Sequence, residues 1–231
     1  MLVHGVSRIN IAIDGPAGAG KSTVARQVAS KLGYVYVDTG SMYRAVTLYA
    51  QRNGVSANQS STLQQMVEQL EIELIPTSVG QMILLQQEDV TALIRTREVT
   101  TEVSHYASNE HVRSHLSKLQ RELAINKGIV MDGRDIGTHV LPDAELKIFL
   151  TASVQERALR RYKELTSDNY IPLEQLEAEI ATRDKLDETR EIAPLIQADD
   201  AILIDSSYIG IDEVTDLIVS LSQKKLAEVM G

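Results

Sequence analysis

Residues 15–22 read Gly15-Pro16-Ala17-Gly18-Ala19-Gly20-Lys21-Ser22, and no other stretch restricts what this chain can fold into so tightly. The spacing matches G-x-x-x-x-G-K-[ST], a glycine-rich loop that joins a strand to a helix. Its surroundings agree with that placement. An apolar run at residues 9–13 reads as a buried strand, and a helical pattern follows over residues 21–32. Glycines let the backbone wrap closely enough for several N–H groups to face one phosphate. The helix N-terminus adds positive potential at the same point. Lys21 is expected to reach the β- and γ-phosphates of a nucleotide and the Ser22 hydroxyl to ligate Mg²⁺, with Thr23 counted among the nucleotide-binding residues. A chance match in a chain of this size has odds of roughly one in a hundred.

The rest of the chain alternates strand-like and helix-like segments. Strands are expected at residues 34–37, 129–131, 146–150 and 201–204. Helices are expected from about residue 41 to residue 53, and at 97–106, 112–126, 154–165, about 173–183 and 211–229. Such alternation argues for an α/β fold of the P-loop NTPase type, a parallel sheet covered by helices on both faces. Two apolar runs, at residues 72–75 and 82–85, flank Pro76-Thr77-Ser78-Val79-Gly80 and read as a hairpin. The region around it, about 63–95, breaks the alternation and reads as an insertion.

Composition excludes several classes. With 43% hydrophobic and 24% charged residues the chain is ordinary globular material. Its apolar runs are too short to span a bilayer, and residues 1–8 lack the apolar core of a signal peptide. A cytoplasmic protein with no membrane partner is therefore expected. There are no cysteines, so disulfides and thiolate metal sites are excluded. A net charge of −9 disfavours nucleic acid as a partner. Any phosphate-bearing ligand must then meet locally concentrated cations. The five histidines show no metal-ligand spacing. The guanine-reading N-K-x-D is missing: the nearest approach is Asn126-Lys127-Gly128-Ile129, and no D-x-x-G occurs.

Three further clusters carry chemistry. They are residues 38–44 (Asp-Thr-Gly-Ser-Met-Tyr-Arg), 132–135 (Asp-Gly-Arg-Asp) and 183–190 (Arg-Asp-Lys-Leu-Asp-Glu-Thr-Arg). In an open parallel sheet ligands bind beyond the carboxyl ends of the strands. The phosphate loop and the first two clusters follow such ends and can converge on one crevice. Each cluster has a plainer explanation. Arg44 on a helix fits a solvated face, and Arg134 with Asp135 fits a surface ion pair. Asp132 fits a strand-ending turn, or support of Mg²⁺ through water. Arg157, Arg160 and Arg161 lie beside Glu156 and Glu164, which suits an exposed salt-bridged helix as well as a ligand wall.

The motif at 13–22, the cluster at 38–44, Asp-Gly-Arg-Asp-Ile-Gly-Thr at 132–138 and the Arg-Asp-x-x-Asp-x-x-Arg pattern at 183–190 together resemble the bacterial cytidylate kinases. Pro142-Asp143-Ala144, residues 147–150 and Ala193-Pro194-Leu195 add to the resemblance, which spans residues 10–226. It implies transfer of a phosphoryl group from ATP to CMP or dCMP, with Mg²⁺; a monomer is expected. It implies a core at about 1–38, 128–150 and 190–231, an acceptor-binding lobe at about 39–127 and a lid at about 151–189. It implies that Arg44, Arg134 and Arg190 surround the acceptor phosphate, acting with Lys21 in catalysis. Ser104, Arg113 and Asp135 would approach the cytosine, Arg183 and Asp187 the sugar, and Thr39 would line the acceptor site. Lys185 and Glu188 stand where many relatives carry other residues. The alternatives are another small-molecule kinase, for UMP or AMP, and a slow nucleotide-hydrolysing regulator.

Overall fold

The computed structural model describes residues 8–77, 80–164 and 170–230. Residues 1–7, the turn residues 78–79 and Leu165 at the end of an expected helix lie outside these. Among the described residues no helix is long and apolar enough to cross a membrane.

The chain opens with β1 (Ile11–Asp14), the phosphate loop and α1 (Lys21–Leu32), then β2 (Val35–Asp38) and α2 (Thr39–Arg52). Next come α3 (Ser60–Glu68) and a three-stranded antiparallel sheet of β3 (Ile72–Thr77), β4 (Gly80–Leu85) and the short β5 (Glu88–Asp89). Helices α4 (Arg97–Ala107) and α5 (Glu110–Ala124) lead back to β6 (Ile129–Gly133). After it follow a π-turn (Ile136–Val140), β7 (Leu146–Thr151), α6 (Val154–Lys163), α7 (Leu173–Thr189), β8 (Ile202–Asp205) and α8 (Ile211–Met230).

The larger sheet has the order β2-β6-β1-β7-β8, with every pairing parallel. Its central strands β1, β6 and β7 read as apolar runs because both of their faces are covered. Ile11 and Ile13 point to one face, where they meet Val24 and Val28 of α1 and Ile218 of α8. Ala12, one residue out of phase, points to the other and joins Val37, Met131 and Val140. Burying each of these Ile or Val side chains contributes about 1.5–3 kcal/mol. The register sets Asp14 against Gly133 and Asp38 against Asp132, so β1, β2 and β6 all end at one level.

Residues 39–127 have a second apolar cluster of their own. Met42 and Val46 of α2 pack there with Ile83 and Leu85 of β4 and Leu116 of α5. Asn109 caps α5, its side chain accepting from His111 N and Val112 N.

Several elements differ from the sequence expectation, and the short β5 is one that it did not contain. Helix α3 is extra. Its nine residues offer only Leu63 and Val67 as buried anchors, too few to show a period. The helix expected to stop at about residue 183 continues to Thr189. Its last turns turn inward with charged Asp184 and Asp187, so no apolar stripe marks them. The π-turn after β6 has no counterpart in the sequence expectation, since five residues carry no periodicity.

Candidate active site

The site is built from strand ends. Gly15 leaves β1 at φ 144°, and a Cβ there would sit 1.9 Å from Leu150 O, so only glycine can make this turn. The loop closes on Gly20, which caps α1 in the left-handed region. Lys21 folds back over the loop and donates to Pro16 O at 2.7 Å. Burial, with Arg134 beside it, holds Lys21 well below the usual lysine range.

A cleft of about 570 Å³ opens over this loop. Its wall includes Ala17, Gly18, Gly20, Lys21, Ser22 and Thr23 on one side. On the other stand Thr39, Arg44, Ser104, Arg113, Arg134, Asp135, Arg183, Asp187 and Arg190. Every acceptor-side residue expected from sequence is thus brought to the same cavity as the phosphate loop. Gly15, Pro16 and Ala19 do not reach its wall; they are buried behind it.

The hydroxyl of Ser22 donates to Asp132 Oδ2 at 2.8 Å, and Tyr36 Oη donates to Asp132 Oδ1 at 3.0 Å. Burial, with Asp38 adding repulsion, pushes the Asp132 carboxyl up to about 6. Two acidic side chains therefore stand close together at the Ser22 end of the cleft. This hard-oxygen set fits Mg²⁺, which favours oxygen ligands and keeps several waters. Among the described residues no group of three or more His, Cys, Asp or Glu side chains could hold a metal on its own.

Arg134 and Asp135 are adjacent but do not pair with each other. Arg134 Nε donates to Asp187 Oδ2 at 2.9 Å. Asp135 takes Arg113 on one carboxylate oxygen and Arg190 Nη2 on the other, the latter at 3.1 Å. Arg113 is 1% exposed, and its guanidinium stacks over the Tyr43 ring at 5.4 Å. The surface ion pair between neighbours, the plainer sequence reading, is excluded by this geometry. Thr39 Oγ1 donates to Asp132 O at 2.7 Å, tying α2 to β6.

Positive charge is concentrated here in spite of the acidic chain. Burial, with Arg134 and Arg44 adding repulsion, pushes Arg183 down to about 9. Among the described residues its buried Nε has no hydrogen-bond partner. Arg44 is lowered too, chiefly by burial, against the pull of Asp38. Burial alone would raise Asp187, but Arg134 and Arg183 outweigh it and hold the carboxylate below its ordinary range. Three guanidinium groups facing one space are arranged for an anion.

Of the arginines of α6, Arg160 and Arg161 line the cleft, and Arg157 fits neither reading the sequence allowed. Arg160 makes the i, i+4 pair with Glu156 at 2.9 Å and also reaches Ser206 O at 2.5 Å. Arg157 is buried. It donates to Ala17 O of the phosphate loop at 2.9 Å and to Asp184 Oδ2 at 2.6 Å. Sequence reasoning missed the supporting roles of Asp14, Tyr36 and Asp184. Asp14 stands last in its strand directly before the loop, a position that marks it in hindsight; Tyr36 and Asp184 carry no such mark.

A five-stranded parallel sheet of this order, with a phosphate loop between its central strand and a helix, defines a P-loop α/β protein. The family model described as cytidylate kinase matches residues 11–224. The chain belongs to the cytidylate kinase family. It is 51% identical over 218 residues to the cytidylate kinase of an Exiguobacterium species (strain AT1b), covering 94% of this chain and 97% of that one. It is 49% identical over 221 residues to the cytidylate kinase of Ligilactobacillus salivarius, covering 95% and 99%. Among solved structures, an uncharacterized protein from Eubacterium ventriosum shares the fold with a TM-score of 0.51. The identity is 12%, over 94% of this chain and 99% of that one.

Proposed function

We propose that this protein transfers the γ-phosphoryl group of ATP directly to the 5′-phosphate of CMP or dCMP, giving CDP or dCDP and ADP. The observation that carries this reading is the single cleft. Phosphate loop and acceptor-side arginines line it together, so donor and acceptor phosphates can approach without a phosphoenzyme. The family membership supports the choice of substrates.

In this reading the loop N–H groups and Lys21 hold the β- and γ-phosphates. Arg44, Arg134 and Arg190 surround the acceptor phosphate and the charge that develops on the transferred group. Ser22 and Asp132, the latter through water, would hold Mg²⁺, which neutralises phosphate charge when bound. Asp135 accepts from the cytosine N4 amino group, while Arg113 and Ser104 face N3 and O2. Uracil reverses the pattern at positions 3 and 4 and would oppose acceptor to acceptor. Arg183 and Asp187 face the sugar. Residues 39–127 act as the acceptor lobe and residues 151–189 as the lid. Closing the two over the ligands excludes water that would otherwise hydrolyse ATP. The protein works as a cytoplasmic monomer.

A coupled ADP-release assay with CMP, dCMP, UMP, AMP and no acceptor tests this. Fast release only with the cytidine nucleotides is expected. Preference for UMP or AMP would make it another kinase of the fold. Slow release indifferent to acceptor would make it a hydrolysing regulator.

A further inference from the structure

Asp14 ends β1, directly before the phosphate loop, and is 5% exposed. It is not part of the cleft wall. Its carboxylate nevertheless accepts two backbone hydrogen bonds from a segment far along the chain. Ile136 N donates at 2.8 Å and Gly137 N at 2.7 Å. These are the first two N–H groups after Asp135. The same turn is fastened from the other side, because His139 N and Val140 N both donate to Asp135 O, at 2.9 and 3.1 Å. A Cβ at Gly137 would meet Lys147 Cδ at 3.1 Å and Asp14 Oδ2 at 3.3 Å, so the turn is packed hard against the carboxylate.

Charge-assisted bonds to backbone N–H are among the stronger hydrogen bonds in a protein interior. Here two of them determine where the backbone carrying Asp135 stands, and with it the carboxylate that binds Arg113 and Arg190. We infer that Asp14 is a positioning residue for base recognition: it pins the turn behind Asp135 and ties the base-reading carboxylate to the strand that carries the phosphate loop. This rests on Asp135 being the base contact proposed above.

The test is kcat/KM for CMP and UMP in the wild type, Asp14→Asn, Asp135→Asn and the double variant. Asparagine keeps the shape but offers one acceptor oxygen, so one N–H would face an amide donor. The CMP/UMP ratio is expected to fall about 10-fold in Asp14→Asn, chiefly through KM for CMP, a scale set by small misplacements of positioned groups. In the Asp135→Asn background Asp14→Asn should lower the ratio no further. Amide exchange at Ile136 and Gly137 should quicken. If CMP and UMP fall together and the ratio stays within about twofold of wild type, Asp14 is structural only and the inference is overturned. Should Asp14→Asn not fold, Gly137→Ala crowds the same carboxylate while keeping its charge. An unchanged ratio there overturns the inference equally. A wild type without preference for CMP, or an Asp135→Asn variant that retains it, refutes the base-contact reading itself and removes this inference with it.

Discussion

Arg134 at the end of β6 donates through Nε to Asp187 Oδ2 on α7 at 2.9 Å, across 53 residues of sequence. The pair joins a rigid strand end to the helix that forms the far wall of the cleft. Arg134 Nη1 also donates to Gly133 O at 3.3 Å, and the Arg134 charge lies close enough to Lys21 to lower its pKa. On the proposed function, Asp187 would act on the acceptor phosphate through Arg134 as well as on the sugar.

Asp187→Asn should lower kcat/KM for CMP and UMP alike, by roughly 10- to 100-fold, because both nucleotides share phosphate and sugar. The CMP/UMP ratio should stay as in the wild type. Steady-state kinetics with both acceptors check this, and a selective loss of CMP would count against it.

Lys21→Ala should reduce kcat by at least about 10²-fold, the usual scale for one preorganised transition-state donor. The fold should persist, because among the described residues Lys21 bonds only its own loop, at Pro16 O, and it lines the cleft. Circular dichroism and ADP release on the same preparation decide the matter. Near-normal turnover in a folded variant would remove the phosphate-loop assignment.

Asp135→Ala should have two separable effects. It strands the buried charge of Arg113, and breaking such a pair costs about 3–5 kcal/mol. It should also erode a wild-type CMP preference of roughly 10- to 1,000-fold, mainly by weakening CMP. Arg44→Ala should weaken CMP and UMP equally. Denaturant melts measure the first effect, and kcat/KM for the two nucleotides the second.

Asp14 should make stability fall as pH rises. Burial, partly offset by the Gly137 and Ile136 N–H groups and aided by the charge of Asp135, raises its carboxyl from 3.8 to about 6; Lys21 pulls the other way. Between these values the folded chain binds the proton and the unfolded chain releases it. Any stability of the protonated form is therefore complete below about pH 4 and lost as pH passes through about 6. The stability of wild type relative to Asp14→Asn should drop by about 2 kcal/mol from pH 4 to pH 7. Urea melts of both proteins across that range give the difference, in which the raised Asp132 cancels. A flat difference would mean the carboxyl titrates normally.

Some of this was legible without coordinates. The phosphate loop is contiguous, and its glycines and Lys21 state their own geometry. Strands β1, β6 and β7 announce themselves as apolar runs, and the clusters at 38–44 and 132–135 follow strand ends. The short helix α3 and the inward-facing acidic end of α7 were not legible, because neither buries enough apolar surface at a regular spacing.

What the sequence by itself determined is the local chemistry: a loop able to wrap a phosphate, an alternation that demands a parallel sheet, and arginines and carboxylates grouped where strands end. Tertiary structure alone decided which charge meets which. Arg134 passes over its neighbour Asp135 for Asp187, Asp135 takes Arg113 and Arg190, and Asp14 reaches Ile136 across 122 residues. The physical reason is that a side chain's local sequence limits its reach but not its partner. The partner is set by strand order and register, which bring the ends of β1, β2 and β6 to one level, and by the burial that leaves each charge there no alternative to the neighbour it meets.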